Sequence, residues 1–94
     1  MFDRVIRLRR DMDEIRVAIE RLLDEHHQLI DRDMAGVIAS YMRSLQLDFE
    51  LAVSRGREGD LSGILEDVSE LHSATLERVD RSRRGTRAFA PLQS

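Results

Sequence analysis

The chain has 94 residues, 41% hydrophobic and 35% charged, with a formal net charge of −3. This length predicts one small domain, and the composition is typical of a soluble helical protein. Cysteine is absent, which excludes disulfides, thiolate chemistry and cysteine-based metal sites. With one Tyr, three Phe and no Trp, the chain offers few side chains that could stack on single-stranded nucleic acid.

The sequence gives no indication of a membrane segment or a signal peptide. No apolar run approaches the roughly 18 residues of a membrane span, and the first ten residues include four Arg and one Asp. A signal peptide needs an apolar core, which this segment lacks. We therefore expect a cytoplasmic location and no contact with membranes.

Every basic side chain is arginine. This bias is expected from a GC-rich genome, and it is also expected from a surface selected for bidentate contacts with anions. Residues 1–10 and 76–94 carry an excess of Arg, while residues 11–75 carry fifteen acidic residues against six Arg. Basic ends around an acidic middle can set the orientation of paired helices.

A first helix is predicted over about residues 3–30, where apolar side chains recur in alternating steps of three and four. This is the spacing of a helix that packs along another helix. Further apolar positions at Ile6, Ala18, Leu23 and Ile30 widen the stripe, which favours a bundle. We call the stripe the first-helix seam: Val5, Leu8, Met12, Ile15, Ile19, Leu22, His26 and Leu29.

A second helix is predicted over about residues 34–55, with Asp31 or Asp33 as its N-cap. The alternative is one continuous helix over residues 3–55, because Gly36 alone costs only about 1 kcal/mol relative to Ala. We favour a hairpin, since a helix of that length is far above the usual length. The predicted apolar face is Met34, Val37, Ile38, Tyr41, Met42, Leu45, Phe49, Ala52 and Val53.

A third helix is predicted over about residues 61–83. Gly56 suits the end of the second helix and Asp60 caps the third, while Gly85 marks the expected end of the third. Residues 85–94 lack periodicity, so we expect either a frayed terminus or a short docking arm anchored by Phe89 and Leu92. Residues 1–84 then form a single all-α domain, a helical hairpin plus a third helix, in a bundle or coiled-coil-like assembly.

Histidines provide the first candidate for chemistry. His26 and His27 are adjacent and point about 100° apart on a helix, so they do not form a metal site, and no metal is expected. A histidine at a seam position can fix the register of paired helices. If His26 is buried and neutral, its protonation would loosen the assembly at or below about pH 6.

Catalytic motifs are missing from the sequence. Adjacent acidic residues such as Asp24 and Glu25 splay apart on a helix and do not share a proton. No nucleophile elbow, phosphate-binding loop, dinucleotide fingerprint or zinc-protease motif occurs. We therefore expect no catalytic activity and no cofactor.

Arginines near the end of the third helix are candidates for anion contacts. Nucleic-acid binding through these residues is possible, but it is not favoured because the whole chain is acidic. The candidate residues are Arg78, Arg81, Arg83, Arg84 and Arg87.

The second helix carries a further apolar stripe away from its main apolar face. Ser40, Ser44, Leu47 and Leu51 follow in steps of four, three and four, and such a ridge binds either the third helix of the same chain or another protein. We call Ser44, Leu47, Asp48 and Leu51 the second-helix ridge.

The segment Ser44-Leu45-Gln46-Leu47-Asp48 resembles the S-Q-x-L-D signature of the small sporulation-regulatory aspartyl-phosphate phosphatases. Ser44, Leu47 and Asp48 match, whereas Leu45 stands in place of the signature glutamine. The resemblance implies a helical hairpin whose Asp48 surface contacts a response regulator. It also implies a phosphatase activity that the missing glutamine does not support.

The sequence thus predicts a small protein–protein interaction module of a bacterium or phage: an adaptor, a regulator or an assembly subunit. We expect a homodimer or a complex with another protein, held by burial of the first-helix seam. The alternatives are a phosphatase or binding protein of a response regulator, and a nucleic-acid-associated regulator that uses its Arg-rich ends.

Overall fold

The computed structural model describes the backbone of residues 2–93 and the side chains of residues 3–84. Three helices make up the fold: α1 (Phe2–Glu25), α2 (Arg32–Ser54) and α3 (Leu61–Gln93), with one 3-10 turn over Glu58–Asp60 before α3. Residues 2–93 contain no strand. The predicted all-α class, a hairpin followed by a third helix, is confirmed.

The hairpin turn lies earlier than the sequence predicted. α1 ends at Glu25, and the chain turns before α2 begins at Arg32. The carbonyl of His26 accepts hydrogen bonds from the amides of Leu29 (2.9 Å) and Ile30 (3.1 Å). Ile30 is 4% exposed, and the free energy gained by burying it offsets the loss of helical hydrogen bonds in the turn. The alternative of one continuous helix is wrong.

The second break is closed by a glycine, as the sequence predicted. Gly56 has a φ of +71°, a left-handed conformation that glycine adopts without steric cost. The Gly56 amide donates to the carbonyl of Val53 (3.2 Å), and the Arg57 amide donates to that of Ala52 (2.8 Å). These two bonds form the Schellman closure of a helix C-terminus.

The third helix extends past its predicted end near Arg83. α3 continues to Gln93, because one glycine inside a helix costs only about 1 kcal/mol and Gly85 does not have to end it. The proposed docking arm with Phe89 and Leu92 falls outside the described side chains.

Helix α3 packs against both α1 and α2, whereas α1 and α2 contact each other less. Arg4 donates to Ser62 (3.1 Å), which brings the starts of α1 and α3 together. Arg9 pairs with Glu50 near the end of α2 (2.9 Å). Helices α1 and α3 therefore run parallel, and α2 runs antiparallel to both. The largest fully buried side chains come from all three helices: Ile19, Phe49, Leu61, Val68 and Thr75.

The bundle is elongated. Its radius of gyration is 16.5 Å, compared with about 12 Å for a compact domain of this length, and it measures 61 × 21 × 17 Å. A bundle this thin leaves every helix with one long face toward solvent. None of the described helices combines the length and apolar character that spanning a bilayer requires.

Candidate interaction surface

The first-helix seam faces the interior of the bundle. Met12 is 3% exposed and Ile19 is 1% exposed, and both belong to the core that α2 and α3 complete. The buried positions therefore pack within this chain and leave no surface there for a second one. The eight positions divide into buried Val5, Met12 and Ile19, and half-buried Leu8, Ile15, Leu22, His26 and Leu29.

The two adjacent histidines lie in the turn after α1 rather than on a helix. His26 is half-buried rather than buried, so the burial that the predicted pH-sensitive role requires is not present. His27 is exposed, with its Nδ1 at 3.0 Å from the carbonyl oxygen of Asp24. Within residues 3–84, no three His, Asp or Glu side chains are grouped as metal ligands.

All four residues of the second-helix ridge are exposed on α2. Leu47 is 60% exposed and Leu51 is 48% exposed, and Ser44 and Asp48 are also exposed. The third helix, one of the two expected occupants, does not cover the ridge. Helices α3 and α1 instead cover the side of α2 that carries Phe49, which is 0% exposed. Because positions 47 and 49 point about 160° apart on a helix, the ridge faces away from both helices.

Val37 and Tyr41 extend this exposed surface toward the start of α2. The sequence pattern placed both on the buried face, and that prediction is wrong: Val37 is 62% exposed and Tyr41 is 48% exposed. The sequence does contain a signal for the position of Val37. Val37 lies three residues before Ser40 and so continues the alternating steps of three and four that run through Ser44, Leu47 and Leu51. We define the outer face of α2 as Val37, Ser40, Tyr41, Ser44, Leu47, Asp48 and Leu51.

Exposed apolar side chains are concentrated on this face. Of seven exposed large hydrophobic residues among those described, four lie on α2. On α1, Ile6 and Val17 are exposed, but the surface around them is lined by Arg, Asp and Glu side chains. On α3, Leu76 borders a groove with Glu77, Asp80 and Arg83. Among the described residues, the outer face of α2 therefore carries more exposed large hydrophobic side chains than either of the other two helices.

The apolar surface continues from α2 onto α3. Val37 and Tyr41 line a shallow groove between the two helices, and its α3 wall is formed by Leu71, Ala74 and Arg78. A partner seated on the outer face of α2 can therefore contact α3 as well.

The predicted anion-binding arginines lie among acidic side chains. Arg78, Arg81, Arg83 and Arg84 are exposed, and Arg84 pairs with Asp80 at 2.8 Å. Glu77 and Asp80 share a surface groove with Arg81 and Arg84. The Arg87 side chain lies outside the described residues. The local surface is thus of mixed charge, which weakens its attraction for phosphate.

The other ion pairs are surface contacts. The hydrogen bond from Arg16 to Glu20 (2.9 Å), assisted by Asp13, raises the pKa of the Arg16 guanidinium above its usual value. Arg9 pairs with both carboxylate oxygens of Glu50 at 2.9 and 3.0 Å. These contacts lie at the surface, along α1 or between α1 and α2, where such pairs contribute little to stability.

In comparisons with known proteins, the chain matches no protein-family model, no curated protein and no solved structure.

Proposed function

We propose that the chain is a small helical protein–protein interaction module, an adaptor, regulator or assembly subunit of the cytoplasm. It binds its partner by burying the outer face of α2. The supporting observation is the exposure of Val37, Leu47 and Leu51 on one line of a helix whose opposite side is fully buried. Exposed apolar side chains grouped on one face of a helix are typical of a binding site.

The size of the apolar residues sets a limit on the affinity. Covering the exposed parts of Val37, Leu47 and Leu51 contributes about 3 kcal/mol, which is less than the roughly 4–15 kcal/mol that association costs. The partner must therefore also cover the serines between them and the groove beside Tyr41. We expect an elongated partner, such as a helix, lying along α2.

Site-specific photo-crosslinking in the cells that naturally produce the protein tests this proposal. A photoreactive residue replaces Leu47 on the outer face of α2. In the control it replaces Ile6, which is 53% exposed on α1. We expect a discrete protein adduct from position 47 that is absent or much weaker from position 6. Equal labelling from both positions would overturn the proposal.

A second candidate is a protein that binds a response regulator. Ser44, Leu47 and Asp48, which match the phosphatase signature, are exposed together on α2. Leu45, at the position of the signature glutamine, is 5% exposed in the core, where a side chain cannot reach a bound phosphoryl group. This arrangement favours binding without phosphatase activity. The test compares the native chain and Asp48→Arg for binding to, and dephosphorylation of, phosphorylated response regulators. A chain that neither binds nor dephosphorylates them rules this candidate out.

A further inference from the structure

The exposed residues of α2 follow the pattern of one strand of a coiled coil. Positions 37, 40, 44, 47, 51 and 54 are separated by alternating steps of three and four, and all six are exposed. Such positions form the a and d layers where two helices meet. Three of the six side chains are larger and apolar and three are serines: Val37, Ser40, Ser44, Leu47, Leu51 and Ser54.

Charged residues border this line on both sides. Arg43 and Glu50 each precede an a position, and Asp48 and Arg55 each follow a d position, so they occupy the g and e positions of the heptad. Glu50 contacts Arg9. Within residues 3–84, Arg43 and Asp48 make no ion pair.

The order of these charges complements a second copy of the same helix. In a parallel coiled coil, each g residue lies beside the e residue five positions later on the other helix. Arg43 then meets Asp48 of the second copy, and Glu50 meets Arg55. Both contacts occur twice by symmetry, and every one of them joins opposite charges.

An antiparallel pair over the same length is less complementary. It brings Arg43 beside Glu50 of the second copy, because g residues then face g residues. Asp48 and Arg55 face the uncharged Tyr41 and Met34. Opposite charges across such a contact set orientation more than affinity, so the charge order over residues 36–55 favours the parallel arrangement.

A glycine provides room for the largest side chain beside this line of α2 residues. Gly36 occupies a g position, and a Cβ atom added there meets nothing within 4 Å. The parallel arrangement places Tyr41 of the second copy, which is 48% exposed in the single chain, against this open position.

We propose that the partner of the outer face of α2 is a second copy of this chain, with the two α2 helices parallel and in register. This inference rests on the proposed function, since it names the occupant of the same surface. Only three of the six layers are apolar, so the dimer is weak and depends on concentration.

Sedimentation equilibrium of the full chain tests the pairing. From about 10 µM to about 1 mM, a range that covers weak interfaces, the average mass should rise from that of a monomer toward that of a dimer. Leu47→Asp should weaken association at least about ten-fold, because it buries a charge between the two α2 helices. Ile6→Asp, the matched change on α1, should leave it unchanged. A monomer throughout this range, or equal effects of the two substitutions, would overturn the inference.

Charge reversal tests the orientation. Arg43→Glu and Asp48→Arg should each weaken association several-fold, because each places like charges side by side. The double variant should restore it in the parallel arrangement. In the antiparallel arrangement the new carboxylate at position 43 still faces Glu50 of the second copy, so the double variant associates weakly. That result would contradict the proposal.

Crosslinking gives an independent measure of orientation, because the chain contains no cysteine of its own. In Ser54→Cys, a short thiol-specific crosslinker should join two copies of the parallel dimer efficiently. The same thiols are about 25 Å apart in the antiparallel dimer, so a dimer that resists crosslinking contradicts parallel pairing.

The photo-crosslinking experiment separates the failure of this inference from the failure of the proposed function. An adduct of position 47 with a different protein and none with a second copy leaves the proposed function standing and overturns self-pairing. No adduct above the position 6 control overturns both.

Discussion

Ile19 and Val17 are two positions apart on α1 and lie in opposite environments. Ile19 is 1% exposed in the core, whereas Val17 is 38% exposed on the outer surface. Both side chains are β-branched and apolar, so composition does not distinguish them. Their direction from the helix axis decides what each one contributes to stability.

This difference predicts unequal effects of the same substitution. Ile19→Asp should destabilise the fold by more than about 3 kcal/mol, because it buries a charge with no partner. Val17→Asp should cost less than about 1 kcal/mol, since water still solvates the carboxylate. Urea unfolding followed by circular dichroism measures both values, and similar losses in the two variants would contradict the packing of α1.

At the scale of elements, α1 and α2 are held together mainly through α3. They contact each other less than either contacts α3. Among the side chains of residues 3–84, the polar link between α1 and α2 is the bidentate pair of Arg9 and Glu50. The Arg9 guanidinium lies 5.8 Å from the centre of the Phe49 ring. The two charged side chains are 44% and 56% exposed, so solvent screens much of their attraction.

A double-mutant cycle on this pair should therefore give a small coupling energy. With Arg9→Gln, Glu50→Gln and the double variant, we expect about 0.2–1 kcal/mol at low salt and little in about 1 M salt, where the screening length is only about 3 Å. Denaturant unfolding at two salt concentrations measures the coupling. A value above about 2 kcal/mol that persists in salt would show a more desolvated pair than the structure contains.

At the scale of the whole molecule, the three helices share one core, so we expect them to unfold as one cooperative unit. Leu61 and Val68 of α3 are 0% exposed and complete a core to which all three helices contribute. Without α3, the buried faces of both α1 and α2 would be exposed to water. Isolated helices of their length are only marginally stable, so most of their stability comes from packing.

Truncation checks this cooperativity. A chain of residues 1–57, which lacks α3, should lose most of its helical circular dichroism and its cooperative thermal transition. A chain of residues 1–84 should keep both, because the described buried positions end at Val79. A shorter chain that still melts cooperatively would show that the α1–α2 hairpin folds alone.

The sequence by itself determined the helical class, the three segments and most of the core, because apolar side chains repeat with the helical period. Ile19 and Phe49 were both predicted apolar positions, and Gly56 was correctly predicted to end α2, since its conformational freedom is a local property. The sequence also singled out Leu47 and Leu51 as a stripe apart from the main apolar face of α2.

Only the tertiary structure decided which apolar stripes are covered within the chain. The first-helix seam is buried or half-buried within the chain, while Val37 and Tyr41, predicted to be buried, face solvent beside Leu47. Periodicity identifies every apolar stripe on a helix but not the neighbour that covers it. Coverage depends on how the helices are placed around α3, which is a property of the whole packing rather than of any local pattern.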